Sequence, residues 1–264
     1  MNNRNCELLI SSCEAYSDLW DIHIKLLNKN WKNRNIVTTI VTDCEHTGKV
    51  DPSVNVFAAG ANKEMPQRIK KALEKVQTDY VLLTLDDYYL VEQIDDQKID
   101  RLVGIMEKMN LDYIRMFPIP KETNVVQGYK NLFWIDLSRN YAVNLYPGLW
   151  RTDFLRATVV DSLNAWDYEV SLTQIARDEK KLCVMSRGND FPFLDVIRKG
   201  KILHKAKRYL DKEGFVIDRK VIPWHEEIKL EIMKNSKKLL PRRVQKYVKY
   251  LMQKMGMKFI SKGI

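Results

Sequence analysis

The first half of the chain alternates short apolar runs with amphipathic stretches. Residues 7–12 are apolar and close on small polar side chains, which predicts a strand. Leu19, Ile22, Leu26 and Leu27 fall at helical spacing and predict a helix over 18–27. Residues 36–42, Ile-Val-Thr-Thr-Ile-Val-Thr, are β-branched throughout and predict a buried strand. Residues 54–58 give a further short strand, and Ile69, Leu73 and Val76 mark one side of a helix over 65–76. Residues 80–85 form the next buried strand, which stops abruptly at two aspartates. Strands alternating with helices imply parallel pairing through crossovers, hence a doubly wound α/β sheet with its ligand site beyond the carboxyl ends of the strands. The polar residues there, Ser11–Ser12, Thr42–Asp43 and Asp86–Asp87, are expected to converge on one crevice.

Beyond Asp87 the pattern changes. A helix is expected over 99–109, a strand over 113–117, and a hairpin pairing 132–137 with 141–145 across Ser138-Arg139-Asn140. Helices over 152–160 and 166–176 follow, then a strand over 182–186 and a helical last forty residues interrupted at Pro241. The expected organisation is a catalytic domain over 1–215, with a nucleotide-binding half (1–95) and an acceptor-side half (96–215), and a basic helical extension over 216–264.

Composition agrees with a globular chain: 264 residues, 45% hydrophobic, with only 10 glycines and 8 prolines. No apolar stretch before Ser11 is long enough for a signal peptide, and the run at 80–85 is too short to span a bilayer, so a cytoplasmic location is expected. Cys6, Cys13, Cys44 and Cys183 show no paired spacing and read as buried free thiols. The net charge of +10 is concentrated after residue 196, in Arg-Lys-Gly-Lys, His-Lys-Ala-Lys-Arg and Lys-Lys-Leu-Leu-Pro-Arg-Arg. That basicity could meet phosphates or anionic lipid. Over 228–260 it accompanies apolar residues, which fits either a helix lying on an anionic membrane surface or a packing helix with a solvated basic face. A non-catalytic nucleic-acid-binding module would suit the charge, but no zinc pattern, RNP motif or helix-turn-helix signature supports it, and no nucleic acid is expected as a partner.

Two adjacent carboxylates at the end of a buried strand repel each other and call for a countercharge. A divalent cation with oxygen ligands supplies one and can bridge two phosphates; a solvated acidic turn is the simpler alternative. This arrangement resembles the GT-A class of glycosyltransferases, whose D-x-D-type motif follows a buried strand, and most nearly the bacterial transferases of capsule and lipopolysaccharide synthesis. The resemblance spans roughly residues 6–210. Asp86-Asp87-Tyr88 departs from it in lacking the final aspartate.

The resemblance implies a GT-A-like (Rossmann-like) mixed sheet with flanking helices and an enzyme moving a sugar from a nucleoside-diphosphate sugar, a UDP-sugar foremost, to a saccharide or lipid-linked saccharide hydroxyl. It implies nucleotide contacts at Ser11, Ser12, Cys13, Asp43, Arg68 and Asp86, with Lys201 and Lys205 holding the diphosphate. It also implies a divalent cation, Mn²⁺ or Mg²⁺, at Asp87 and His204. A general base is implied on the helix opened by Leu163-Asn164-Ala165-Trp166, with Glu169 favoured and Asp167 second; two residues apart, only one can face a site. Both also suit the first turn of a helix as dipole partners. An inverting hexosyl transfer follows from the presence of a base. The location is then the inner face of the cell membrane. The aromatic loop 146–151 offers Trp150 either as a sugar platform or as core. A sugar-phosphate nucleotidyltransferase is the alternative enzyme, disfavoured because the loop after the first strand has no glycine.

Overall fold

The computed structural model describes residues 5–160, 163–187 and 191–230. The expected basic helix over 228–260 therefore lies, from residue 231 onward, outside the described residues. In chain order the first elements are β1 (Cys6–Ser11), a 3-10 turn (Glu14–Leu19), α1 (Trp20–Asn30), β2 (Thr38–Thr42), β3 (Asn55–Ala58), α2 (Met65–Leu73), β4 (Tyr80–Leu85), β5 (Tyr88–Leu90) and α3 (Asp96–Met109). They continue with β6 (Tyr113–Arg115), β7 (Val125–Val126), β8 (Tyr129–Trp134), β9 (Gly148–Arg151), α4 (Thr152–Thr158), α5 (Ala165–Asp178), β10 (Cys183–Ser186) and β11 (Phe193–Asp195). Last come β12 (Ile197–Arg198), β13 (Lys201–Ile202) and α6 (His204–Glu213).

The chain divides into two compact units, Met1–Val196 with Leu210–Asp218, and Ile197–Tyr209 with Arg219–Ile264. The first is built on a nine-stranded sheet in the order β3-β2-β1-β4-β9-β6-β10-β8-β7. From β3 to β4 every pairing is parallel, with Ser11 beside both Val41 and Leu85 at the carboxyl ends. Strand β9 then runs antiparallel between β4 and β6, and β8 and β7 add an antiparallel edge. The sheet is thus mixed, with one parallel half.

Alternation along the strands fills two separate cores. Leu8, Ile10 and Leu82 face Trp20, Ile24 and Leu27 of α1 and Ile99, Leu102 and Met106 of α3. Leu9, Val81 and Leu83 face α2, α4 and α5 through Ile69, Leu73, Phe154, Leu155 and Leu172. Each such side chain, taken wholly out of water, contributes about 1.5–3 kcal/mol. The second unit has its own hairpin: β12 and β13 pair antiparallel across Lys199 and Gly200, both at positive φ (52° and 72°), where glycine carries no Cβ strain.

Two expectations for the back half are corrected. The hairpin is β7–β8, turned at Gly128, and residues 141–145 form no strand. That segment is instead pinned by a buried exchange with α5: Val143 N–H donates to Thr173 Oγ1, whose hydroxyl donates back to Val143 O, both at 3.0 Å. Residues 148–151, expected as a loop, are β9, in the middle of the sheet. Trp150 is consequently fully buried, 4.2 Å between ring centroids from Tyr113, and is core instead of a sugar platform. The thiols are also corrected in part: Cys6 and Cys183 are buried, while Cys13 and Cys44 are half-exposed. Burial pushes Cys6 up to about 12 and raises Cys183 as well. Among the described residues no helix is long and apolar enough to cross a membrane.

Candidate functional site

The carboxyl ends of β1, β2 and β4 meet in one place because parallel strands in near-level register must end together. Asp86 N–H donates to Ser11 O (3.2 Å), tying the loop after β4 to the end of β1. The Ser12 hydroxyl donates to the Asp86 carboxylate, and Trp20 Nε1–H donates to Ser12 Oγ at 2.7 Å. All three residues are buried, so the second carboxylate-bearing strand end is held by a polar chain closed off from solvent. His23, one turn along α1, completes the support. Its Nδ1 lies 3.0 Å from Asp86 O; a carbonyl only accepts, so the proton is on Nδ1. Burial lowers His23 to about 4, against the opposing effect of that hydrogen bond, and the ring is neutral at pH 7.

Asp43 joins from β2. Glu14 N–H donates to its Oδ1 at 2.7 Å and the Thr42 hydroxyl at 3.1 Å. Burial works to raise this carboxyl, but those hydrogen bonds, with Arg68 nearby, leave it below the usual carboxylate range. The Cys13 thiol is raised by burial and then by Asp86, an effect Arg68 partly offsets. Arg68 lies on α2. Its helix is fixed at the start by a reciprocal cap between Glu64 and Gln67 and by Pro66, and its guanidinium donates to Lys63 O at 2.7 Å. His46, given no role from the sequence, sits over Trp20 (4.8 Å) with Nδ1 2.9 Å from the Glu14 carboxylate. The Ser11 hydroxyl is buried without a hydrogen-bond partner among the described residues.

Asp87 lies where the chain leaves β4 for β5. Strand β5 pairs antiparallel with β11, so that Asp195 stands opposite Tyr88 and Val196 N–H donates to Asp87 O at 2.9 Å. Asp195 was not found from the sequence; the signal was the short apolar run Phe191-Pro192-Phe193-Leu194 ending in an acid, too brief to register as a strand. Among the described residues no three His, Cys, Asp or Glu side chains cluster as a ready metal cage. One or two carboxylates are nevertheless a sufficient protein share for Mg²⁺ or Mn²⁺, whose other positions suit diphosphate oxygens and water, so the oxygen donors at Asp87 fit such an ion.

On α5, Asn164 caps the helix by accepting from Trp166 and Asp167 N–H (3.0 Å each) and donates to the Asp167 carboxylate at 2.8 Å. Asp167 is exposed and engaged in the cap. Glu169 is half-buried and acts electrostatically on Tyr113 and Tyr141. In the second unit, His204 opens α6 with its ring stacked on Trp224 (3.6 Å) and Nδ1 bonded to the Glu227 carboxylate. Lys201 is paired with Glu226 at 2.9 Å, and Lys205 is exposed. A cleft of about 460 Å³ between Lys121–Asn124 and Trp134–Arg139 contains none of the residues picked from the sequence.

No protein-family model matches this sequence, and a search of curated proteins finds no relative. Solved structures do resemble it. The mannosyltransferase PcManGT from Pyrobaculum calidifontis, in complex with GDP-Man and Mn²⁺, superposes with a TM-score of 0.50 over 76% of this chain and 59% of its own, at 8% identity. TarS of S. aureus in complex with UDP-GlcNAc gives 0.49 over 75% and 60%, at 12% identity. The bifunctional IspDF of Campylobacter jejuni gives 0.43 over 72% and 52%, at 16% identity. The chain thus spans between 52% and 60% of the length of these three. At such identities likeness speaks for the fold alone: the mixed sheet of this chain is GT-A-like, with its parallel half ending on Ser12, Asp43 and Asp86.

Proposed function

We propose that this protein transfers a sugar from a nucleoside-diphosphate sugar to a saccharide hydroxyl. The observation that carries the reading is the Asp86–Asp87 turn, which follows β4, the last strand of the parallel half, and is held by Ser12, Trp20 and His23. In that arrangement the Asp86 carboxylate is engaged by Ser12, and Asp87 is assigned the ligand side. Ser11, Ser12, Cys13 and Asp43 then line the nucleoside end, and Arg68 meets the diphosphate. Asp87 holds the divalent cation, which when bound neutralises charge on the departing diphosphate. Glu169 takes the proton of the acceptor hydroxyl as it attacks, with inversion at the anomeric carbon. Asp167, tied into its own helix cap, is the weaker candidate.

His204 suits a metal or phosphate role by its local chemistry. Its Nδ1 is bonded to the Glu227 carboxylate, which orients the ring. Within the second unit Glu226 balances Lys201. A UDP-sugar donor, a lipid-linked acceptor, a role in bacterial surface polysaccharide and docking on the inner membrane face complete the proposal.

The test is a thermal-shift series of UDP, GDP, UDP-sugars and GDP-mannose with and without Mn²⁺. At a hundredfold excess over Kd a ligand stabilises by about 2.7 kcal/mol, a shift of a few degrees. Stabilisation by one nucleotide that disappears in Asp87→Ala is expected. Equal stabilisation in the variant, or none in either protein, would sink the site. Full transfer activity in Glu169→Gln would remove the proposed base.

A further inference from the structure

The proposed transfer needs a surface that holds the acceptor beside its base. Trp150, the aromatic the sequence offered for this, is buried, whereas Trp166 is 63% exposed and Val170, one turn later, 47%. A tryptophan left open to water at the first turn of a firmly capped helix is a large apolar area on an anchored backbone: its main-chain N–H donates to Asn164 Oδ1. On a helix, residues three apart are neighbours, so Trp166 and Glu169 share one side. Tyr141 flanks the same turns. The Val143–Thr173 exchange bolts its segment to α5 one turn beyond Glu169, and Asp167 and Glu169 both act on the Tyr141 phenol.

We propose that the first two turns of α5 form an acceptor-saccharide subsite, in which the Trp166 indole carries a sugar ring while Glu169 and Tyr141 meet its hydroxyls. The chemistry selects the ligand. A sugar presents an apolar C–H face and a rim of hydroxyls, matched here by an indole face and a rim of oxygen acceptors. An anionic bilayer, the other partner an exposed tryptophan suits, is disfavoured by two carboxylates next to the ring. The inference rests on the transfer reading for the role of Glu169, but not for the binding itself.

The experiment measures the full chain on an array of neutral and acidic oligosaccharides, with UDP and GDP thermal shifts followed in parallel. The wild type is expected to retain at least one saccharide. Trp166→Ala should weaken that binding about tenfold with the melting temperature and nucleotide shift unchanged, and Trp166→Tyr should keep most of it. No saccharide bound by the wild type, or equal binding in Trp166→Ala, overturns the subsite. So does a Trp166→Ala variant that loses only phosphatidylglycerol-vesicle binding or self-association. Trp166-dependent saccharide binding in a protein that ignores every nucleotide supports the subsite while sinking the transfer reading.

Discussion

Acidification should destabilise this fold through His23. The ring is 2% exposed on α1, edge-on to Tyr89 at 5.2 Å between centroids, and donates to Asp86 O. Its value falls from 6.5 to about 4, chiefly through burial. A folded-state value below the unfolded one means the stabilising species is the neutral ring. Its contribution is complete above about pH 6.5 and is withdrawn as the pH falls toward 4, where the folded state also takes up the proton. The full shift corresponds to about 3 kcal/mol, of which about 2 should be gone near pH 5. His23→Asn is the control, because its amide can still donate to the Asp86 carbonyl but does not titrate. Urea unfolding followed by tryptophan fluorescence would be run on both proteins from pH 7.5 to 4.5. The variant is expected to be less stable at pH 7.5, having lost ring volume, yet to lose about 2 kcal/mol less on going to pH 5. Carboxylates titrate in both and cancel in the difference. Parallel pH profiles would refute the assignment of His23 as a neutral buried donor.

Three further outcomes are expected. Ser11→Ala removes a buried hydroxyl without a partner among the described residues, so urea midpoints should stay level or rise by the equivalent of up to about 1 kcal/mol; a clear loss would mean the hydroxyl is satisfied. Gly148→Ala would set a Cβ 2.6 Å from the Tyr113 ring and 3.2 Å from Ile114 O in mid-sheet, which should cost about 1–3 kcal/mol and leave m unchanged; an unaltered melting temperature would contradict that packing. Arg115→Met should cost about 3–5 kcal/mol by chemical denaturation, because the fully buried guanidinium bonds Phe117 O, Pro120 O, Ala142 O and Glu122, and its loss leaves three carbonyls without that donor and the buried Glu122 carboxylate with Arg139 as its remaining cation; a neutral result would show the network adds nothing.

The parallel half of the sheet was legible in the sequence because three of its four strands, β1, β2 and β4, are buried on both faces, while the edge strand β3 is not. Such strands must be continuous apolar runs, and β1, β2 and β4 are; their ends, and hence the convergence of Ser12, Asp43 and Asp86, follow from parallel register. The back half was less legible because its strands are two to six residues long and their identity depends on partners. Residues 148–151 look like an aromatic loop until β4 and β6 claim both edges, and 141–145 look like a strand until Thr173 takes the Val143 backbone. His23 and Asp195 were invisible for a related reason: one acts through a backbone carbonyl 63 residues away, and the other only by strand pairing with Tyr88.

The sequence by itself determined that a buried parallel strand ends on paired acids, because hydrophobic periodicity and the abrupt change to Asp86-Asp87 are local facts. Only the tertiary structure decided how the two acids differ. Asp86 turns to Ser12 and is committed to the scaffold, while Asp87 passes into the β5–β11 pairing beside Asp195. The roles of adjacent residues with identical side chains are fixed by which neighbours the fold supplies, and those neighbours come from β1, α1 and β11, far away along the chain.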